Sequence, residues 1–201
     1  MADILYTYKN QVYANITNRC DCNCKFCIRS KKDAIGEADN LWLGYEPSIE
    51  EIKNEIDNFG LELYDELVFC GYGEPTCALN TLIETADYVK SKYGIKIRLN
   101  TNGLANLYHG RNIIPELAKV VDSISISLNA PTAEKYQEVT QPQFENAFPS
   151  LLEFTKLAKD AFEHTQLSIV DVLEDNDIKA CKEIANKIGV YLKIRKYTND
   201  D

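Results

Sequence analysis

The sequence predicts an α/β protein built as a partial, open (β/α)6 barrel with parallel strands. Short β-rich runs alternate with amphipathic segments along the 201 residues, and repeated strand-helix-strand units form a parallel sheet with helices on its outside. Six strands are too few for a closed eight-stranded barrel. Several strands alternate between polar and apolar residues, which favours a curved sheet with a wet inner face over a flat, doubly wound sheet.

The six predicted strands are β-rich runs that end at turn residues. They span residues 12–17, 66–70, 96–100, 123–129, 166–172 and 190–195. Five helices connect them. Ser48 and Glu51 form a capping box for the first helix, which ends at Gly60. The other four are predicted at 80–93, 115–121, 146–162 and 177–189, where Pro115, Asn146 and Asp177 suit a helix start.

The alternation predicts which side chains face the inside of the barrel, its lumen. On the fourth predicted strand, Ile124, Ile126 and Leu128 share one face, and the other face carries Ser123, Ser125, Ser127 and Asn129. The same polar parity holds for Asn15, Thr17, Lys96, Arg98, Asn100, Lys193 and Arg195. If helices cover the apolar faces, the polar side chains line a common cavity. A sheet with one solvated face is the alternative.

Composition is that of one globular domain, predicted over residues 1–201, with 45% hydrophobic and 26% charged residues. The excess of 31 acidic over 22 basic residues gives a net charge of −9, which disfavours non-specific binding to nucleic acids and anionic membranes. No apolar run approaches the roughly 20 residues of a membrane span, and the first residues lack an export signal. We therefore expect a cytoplasmic protein.

Four of the seven cysteines lie within one short loop, directly after the first predicted strand. Cys20, Cys24 and Cys27 are spaced C-x3-C-x2-C, and three thiolates on one loop can hold three irons of a [4Fe-4S] cluster while the fourth iron stays open. With Cys22, the loop could instead form a tetrahedral zinc site, although structural zinc sites usually join two separated cysteine pairs. Inert core cysteines are the third alternative. We expect Cys22 to be a bystander.

This spacing, with Phe26 directly before the last cysteine, resembles the signature of the radical S-adenosylmethionine (SAM) superfamily. The resemblance implies that Cys20, Cys24 and Cys27 ligate one oxygen-sensitive [4Fe-4S] cluster whose open iron is chelated by SAM. An electron from the cluster then cleaves SAM to methionine and a 5′-deoxyadenosyl radical, which abstracts hydrogen from a substrate. It also implies a small redox protein, such as flavodoxin or ferredoxin, as electron donor.

Three further segments follow successive predicted strands and resemble SAM-binding motifs of the superfamily. Residues 71–76 resemble its Gly-Gly-Glu motif with Tyr72 at the first glycine, residues 100–103 its Thr-Asn-Gly turn, and residues 127–130 a segment that binds the ribose or the methionine carboxylate. Each alone could be an ordinary turn. Together they imply cofactor-binding roles for Phe26, Gly73, Glu74, Asn100, Asn102, Ser127 and Asn129.

These motifs, together with residues 27–29, 40–43, 69–76, 98–103 and 126–131, resemble the small TatD-associated radical SAM proteins. That family is named for a neighbouring hydrolase, so it implies no substrate, which could be a protein or a small molecule. The chain also resembles glycyl-radical-enzyme activases in size, so activation of a protein partner is one alternative function. A non-catalytic zinc-binding module is another.

Two lumen arginines and one segment complete the predicted site. Arg98 precedes the turn at 100–103 and is expected to address SAM, whereas Arg195 lies at the open edge and is expected to meet the substrate. Acidic protein residues are the alternative partners for both. Residues 18–28 form the predicted cluster loop. Residues 29–47, which contain Trp42, form either a lid or docking loop or a solvated insertion.

Overall fold

A computed structural model describes residues 2–197. One sheet holds seven strands in chain order: β1 (Leu5–Tyr8), β2 (Gln11–Ala14), β3 (Glu66–Phe69), β4 (Lys96–Thr101), β5 (Ser123–Ser127), β6 (His164–Val170) and β7 (Tyr191–Arg195). Strands β2 to β7 run parallel, and β1 pairs antiparallel with β2. The prediction of an α/β fold with an open, mostly parallel sheet is confirmed, and all six predicted strands are present.

The additional strand β1 forms a hairpin with β2 that the sequence analysis did not predict. Lys9 and Asn10 connect the two strands with φ values of 50° and 61°. Two successive residues at positive φ are typical of the type I′ turn, whose twist matches that of the strands. The sequence Lys-Asn lacks the glycine that usually indicates such a turn, and this explains why the hairpin was missed.

Within residues 2–197, seven α-helices pack around the sheet: α1 (Ile49–Phe59), α2 (Leu79–Tyr93), α3 (Ala105–His109), α4 (Ile114–Leu117), α5 (Ala133–Thr140), α6 (Ala147–Ala161) and α7 (Asp175–Ile188). The capping box of α1 is confirmed, and Gly60 ends this helix at a φ of 78°. Neither α3 nor α5, both of which are short, was predicted from the sequence. No helix in the described part of the chain is long and apolar enough to cross a membrane.

The main hydrophobic core lies between the sheet and the helices. Ile124, Ile126 and Leu128 belong to it together with Leu151 and Phe154 of α6, as the alternation predicted. The polar residues of the same strands face the other side, where Gln166 Nε2 donates to Ser125 Oγ at 3.1 Å. That side is the lumen.

The segment 29–47 packs over the β1–β2 hairpin. Leu41 is fully buried in a second apolar cluster with Tyr6 and Tyr72. Backbone bonds tie the segment down, since Asp3 N donates to Asn40 O at 2.7 Å. Trp42 stacks edge-on against Tyr72 with ring centroids 5.2 Å apart. Leu41 thus anchors the segment to the hairpin, and we call the segment the packed cover.

Candidate functional site

The cysteine loop follows β2 at the carboxyl edge of the parallel strands, where active sites of such folds lie. Cys20, Cys24 and Cys27 are half-buried, and their thiols are free. On one side the loop is held by the last turn of α5, because Lys25 N donates to Val139 O at 2.9 Å. On the other side Glu74 N donates to Arg19 O at 2.7 Å. The loop thus lies between α5 and the turn after β3.

Burial changes the pKa values of these thiols. Desolvation, followed by the charge of Glu74, raises the pKa of Cys20 to about 12. Desolvation also raises the pKa of Cys27, whereas a hydrogen bond from Cys22 lowers the pKa of Cys24. Metal ligation requires thiolates. A bound cation is therefore needed to keep all three deprotonated at neutral pH.

The fourth cysteine of the loop, Cys22, is buried in the main core, with its thiol hydrogen-bonded to that of Cys24. It is 6% exposed, and Asn102 Nδ2 lies 3.6 Å from its sulfur. Its backbone forms an isolated β-bridge with Pro142. Among residues 2–197, no three His, Cys, Asp or Glu side chains converge on a single-ion site. The geometry thus gives no support to the zinc alternative, whereas the three thiols of a cubane bind different irons and need not converge.

The turn after β3 approaches the cysteine loop so closely that only glycine fits at two positions. A Cβ on Gly73 would lie 2.2 Å from Thr17 O, and one on Gly71 would lie 2.2 Å from Asn15 Oδ1. Tyr72, which stands between them, is 3% exposed and donates its hydroxyl to Lys32 O. It therefore anchors the packed cover.

Glu74 is a buried acid whose carboxylate accepts several hydrogen bonds. Among the described residues, no cationic side chain pairs with it. Thr101 Oγ1 and Thr76 Oγ1 donate to its Oε1 at 2.7 and 2.8 Å, and Asn102 N donates to its Oε2 at 2.7 Å. Burial, assisted by the charge of Asp21, raises the pKa of Glu74 to about 7. A carboxylate in such a place suits a cationic ligand.

Asp21 is a second buried acid that the sequence analysis missed. It follows the first predicted ligand and is 1% exposed. Asn102 Nδ2 donates to its Oδ1, and burial raises the pKa of this carboxyl group. Asn102 therefore links the cysteine loop to Glu74 through its side chain and its backbone. A charged residue between two candidate ligands was the one available sequence signal.

The remaining predicted cofactor residues fall into two groups. Asn129 adopts a φ of 57° after β5, and its buried Oδ1 has no hydrogen-bond partner in the described structure. Ser127 is half-buried at the end of the same strand. Asn100 donates to the Cys70 thiol in the lumen, and Phe26 is half-buried in the cysteine loop.

The two lumen arginines lie at different levels of the barrel. Arg98 pairs with Glu66, with Nε and Oε2 3.3 Å apart, and donates to Gln11 Oε1 at 2.9 Å. Both partners start their strands, so Arg98 reaches toward the amino-terminal end and is not brought together with the SAM-directed turns. The carboxylate of Glu66 therefore compensates the charge of Arg98. Pairing with an acidic protein residue was the alternative to SAM binding. Arg195, at the carboxyl end of β7, has no such partner among residues 2–197.

Comparison with known proteins identifies the family. The model of the radical SAM superfamily matches residues 14–186. The chain is 28% identical over 189 residues to the dual-specificity RNA methyltransferase RlmN of Bdellovibrio bacteriovorus, an alignment that covers 85% of this chain and 44% of that protein. It is 24% identical over 151 residues to a putative glycyl-radical enzyme activating enzyme of Methanocaldococcus jannaschii, covering 72% and 58%. The chain thus spans about half the length of these curated relatives.

Among solved structures, Streptococcus suis SuiB bound to S-adenosylmethionine is similar in fold, with a TM-score of 0.69 at 13% identity over 93% of this chain and 40% of that one. An open parallel sheet with a three-cysteine loop at its carboxyl edge defines the class, and the family match extends along most of the chain. The chain belongs to the radical SAM superfamily. Proteins of this superfamily use a [4Fe-4S] cluster and SAM.

The residues present fit both groups. Three free thiols on one loop supply a donor set for a cluster with one open iron. Nearby stand a buried carboxyl group without a cation, Glu74, and the unpartnered Oδ1 of Asn129. An ammonium group would satisfy the first, and a hydroxyl or N–H donor would satisfy the second.

Proposed function

We propose that the protein is a radical SAM enzyme that removes hydrogen from an as yet unidentified substrate. The observation that carries the proposal is the loop of three free cysteines opposite the buried, cation-free Glu74, within a chain of this superfamily. When bound, the cluster would supply the electron that cleaves SAM to methionine and a 5′-deoxyadenosyl radical.

In this proposal the protein's own residues bind and orient. Cys20, Cys24 and Cys27 hold the cluster, and Glu74 receives the methionine ammonium in a charge-assisted hydrogen bond. The absence of a side chain at Gly73 lets the turn approach the cysteine loop. Asn129 and Ser127, at the end of β5, bind the ribose or the carboxylate of SAM. Phe26, Asn100 and Asn102 line or support this pocket.

Two finer assignments extend the proposal. The motifs at 27–29, 40–43, 69–76, 98–103 and 126–131 favour the small TatD-associated branch of the superfamily. The electron donor is proposed to be a small redox protein such as flavodoxin or ferredoxin. Arg195 is proposed to contact the substrate. We leave Arg98 out of the SAM-binding set because Glu66 already pairs with it.

One alternative has an observation of its own. The relative from M. jannaschii is named a putative glycyl-radical enzyme activating enzyme, so a protein partner with a glycyl radical is the second candidate substrate. It predicts that a glycine-centred radical forms in a partner protein, whereas a small-molecule enzyme forms none.

Anaerobic reconstitution tests the main proposal. The reconstituted protein should bind about four irons per chain and, with SAM and a reductant, release 5′-deoxyadenosine measured by mass spectrometry. Cys24→Ala should lose the iron and the product, whereas the matched variant Cys22→Ala should keep the iron because Cys22 lies in the core. Equal loss of iron in both variants would overturn the ligand assignment.

A further inference from the structure

The cysteine loop is basic, although the chain as a whole is acidic. From Asn18 to Lys32 the sequence holds five basic residues and one acidic residue, Asp21, whereas the whole chain holds 22 basic and 31 acidic residues. Asp21 is 1% exposed and accepts a hydrogen bond from Asn102, so its carboxylate does not reach the surface. The exposed surface of this loop therefore carries a local excess of positive charge.

Three of these basic side chains are exposed, and they extend from the loop on three sides. Arg19 extends toward the packed cover, where its Nη2 lies 3.0 Å from Glu46 Oε2. Lys25 extends toward α5, where its Nζ lies 2.9 Å from Glu138 Oε1. Lys31 lies over the aromatic ring that follows β7, with its Nζ 4.8 Å from the ring centroid. We call Arg19, Lys25 and Lys31 the cationic rim.

The acids that pair with the cationic rim are themselves exposed. The side chains of Arg19 and Glu46 are 52% and 45% exposed, and those of Lys25 and Glu138 are 52% and 68% exposed. Exposed ion pairs contribute little to stability, because water and salt screen both charges. Within the described residues, Lys31 contacts a tyrosine ring and hydroxyl and no carboxylate. Carboxylates of a partner protein can therefore bind Lys31 or take the place of Glu46 and Glu138.

The cationic rim adjoins the residues that are proposed to hold the cluster. Arg19 directly precedes Cys20, Lys25 directly follows Cys24, and Lys31 lies four residues after the last proposed ligand. All three proposed ligands are half-buried, so the loop is not sealed beneath the core. Electron transfer through protein weakens steeply with distance, so a donor protein has to approach the cluster closely. A protein that binds the rim meets this requirement.

We infer that the cationic rim is the docking surface for the electron donor, a small redox protein with acidic residues around its cofactor. The inference rests on the proposed function, in which the cluster needs one electron for each SAM cleaved. In the transfer step the donor is oxidised by one electron, the cluster is reduced by the same electron, and no proton moves. The net charge of −9 repels an acidic protein elsewhere on the chain. The rim therefore also selects the orientation in which the donor faces the cluster.

A nucleic acid is the other polyanion that a basic surface could bind. Its affinity grows with the number of phosphates that basic residues neutralise, and the rim offers three exposed cations, two of which already have an acid beside them. Electron-transfer complexes are small and short-lived, so a few charges that guide the encounter are sufficient for them. The rim thus suits a redox protein better.

The test compares two reductants of opposite charge. The reconstituted protein with SAM is reduced by an acidic flavodoxin and, in a parallel assay, by reduced methyl viologen, a small cation that needs no docking surface. Stopped-flow absorbance gives the rate of cluster reduction, and mass spectrometry measures 5′-deoxyadenosine. The iron content of each variant is measured beforehand, so that loss of the cluster is not mistaken for slow reduction.

Lys25→Glu should slow reduction by flavodoxin about threefold or more at low salt, and added salt should shrink the difference from the wild type. Glu138→Gln should speed it up, because it removes the acid that pairs with Lys25; such a gain does not arise from misfolding. The matched control is Lys156→Glu, which breaks an exposed lysine–glutamate pair on α6 and should leave the rate unchanged. Equal rates in the wild type, Lys25→Glu and Glu138→Gln overturn the inference.

The second reductant separates the possible failures. With methyl viologen, Lys25→Glu should be no slower than the wild type; slowing by both reductants means that the rim acts on the cluster itself, and the inference is wrong. Saturable binding of labelled RNA that Lys25→Glu abolishes, without any effect on reduction by flavodoxin, assigns the rim to a nucleic acid instead. Absence of 5′-deoxyadenosine beside a Lys25-dependent reduction by flavodoxin rejects the proposed function while the docking surface stands. Normal release with methyl viologen beside equal flavodoxin rates rejects only the docking surface.

Discussion

At the scale of single residues, Glu74 shows how burial creates a binding group. Three of its donors come from Thr76, Thr101 and Asn102, yet hydrogen bonds alone do not offset its desolvation, and its pKa is about 7. The group is therefore half protonated near neutral pH in the absence of a cation. An ammonium ligand would favour its ionised form.

Binding of SAM should accordingly strengthen as pH rises through the pKa of Glu74. The ionised fraction of a group with a pKa of about 7 rises roughly eightfold between pH 6 and pH 7.5. Glu74→Gln should bind SAM more weakly and lose this dependence. Calorimetry with both reconstituted proteins gives the ratio of their affinities for SAM. Protonation of SAM itself affects both affinities equally and therefore cancels in this ratio. A ratio that stays constant with pH would contradict the assignment of Glu74. The control is Glu183→Gln, on the exposed surface of α7, which should bind SAM as the wild type does.

At the scale of elements, the site depends on close packing between two loops. Gly73 lies against the carbonyl oxygens of Thr17 and Arg19, which a Cβ would approach to 2.2 and 2.7 Å. Gly73→Ala should force the turn after β3 away from the cysteine loop and cost about 1–3 kcal/mol of unfolding free energy. Denaturant unfolding and iron retention measure the effect. Gly44→Ala, where a Cβ meets nothing within 4 Å, should change neither, and equal behaviour of the two variants would refute the packing argument.

The cover 29–47 depends on one aromatic side chain from the neighbouring turn. Tyr72 fills the second apolar cluster with Leu41 and Tyr6 and bonds Lys32 O through its hydroxyl. Tyr72→Ala should leave a cavity that lowers the free energy of unfolding by about 3 kcal/mol. It should also release the cover. Trypsin should then cleave faster after Lys31 and Lys32. The control Tyr45→Ala removes an aromatic ring that is 63% exposed in the same segment and should leave the cleavage rate unchanged. If trypsin cleaves Tyr72→Ala no faster than the wild type, Tyr72 does not anchor the cover.

At the scale of the whole molecule, the net charge predicts that this chain does not bind nucleic acids non-specifically. The relative from B. bacteriovorus is named an RNA methyltransferase, whereas this chain carries a net charge of −9 and aligns with less than half of that relative. Phosphate backbones require basic contacts. Labelled RNA should show no saturable anisotropy change at physiological salt up to about 100 μM protein, with that relative as the positive control. Saturable binding would show that a local surface overrides the net charge.

Local signals were sufficient for much of the fold and of the candidate site. The capping box at Ser48, the alternation in β5 and the spacing of Cys20, Cys24 and Cys27 each depend on residues close in sequence. Such patterns predict element type and which face is buried, because backbone geometry repeats every two or 3.6 residues. The assignment to the radical SAM superfamily, which the comparisons confirm, follows from the same short-range patterns.

Contacts between distant parts of the chain were decided by the tertiary structure alone. Arg98 meets Gln11 across 87 residues, and α5, which the sequence did not reveal, holds the cysteine loop through Val139. The hydrogen bond between Asn102 and Asp21 likewise appears only where two loops meet. The alternation of polar and apolar residues predicts that Arg98 and Arg195 face the lumen. Their positions along the barrel axis, and the acidic residues within their reach, depend on the curvature of the sheet and the paths of the loops. That is the physical reason why Arg98 is compensated by Glu66 of the protein itself.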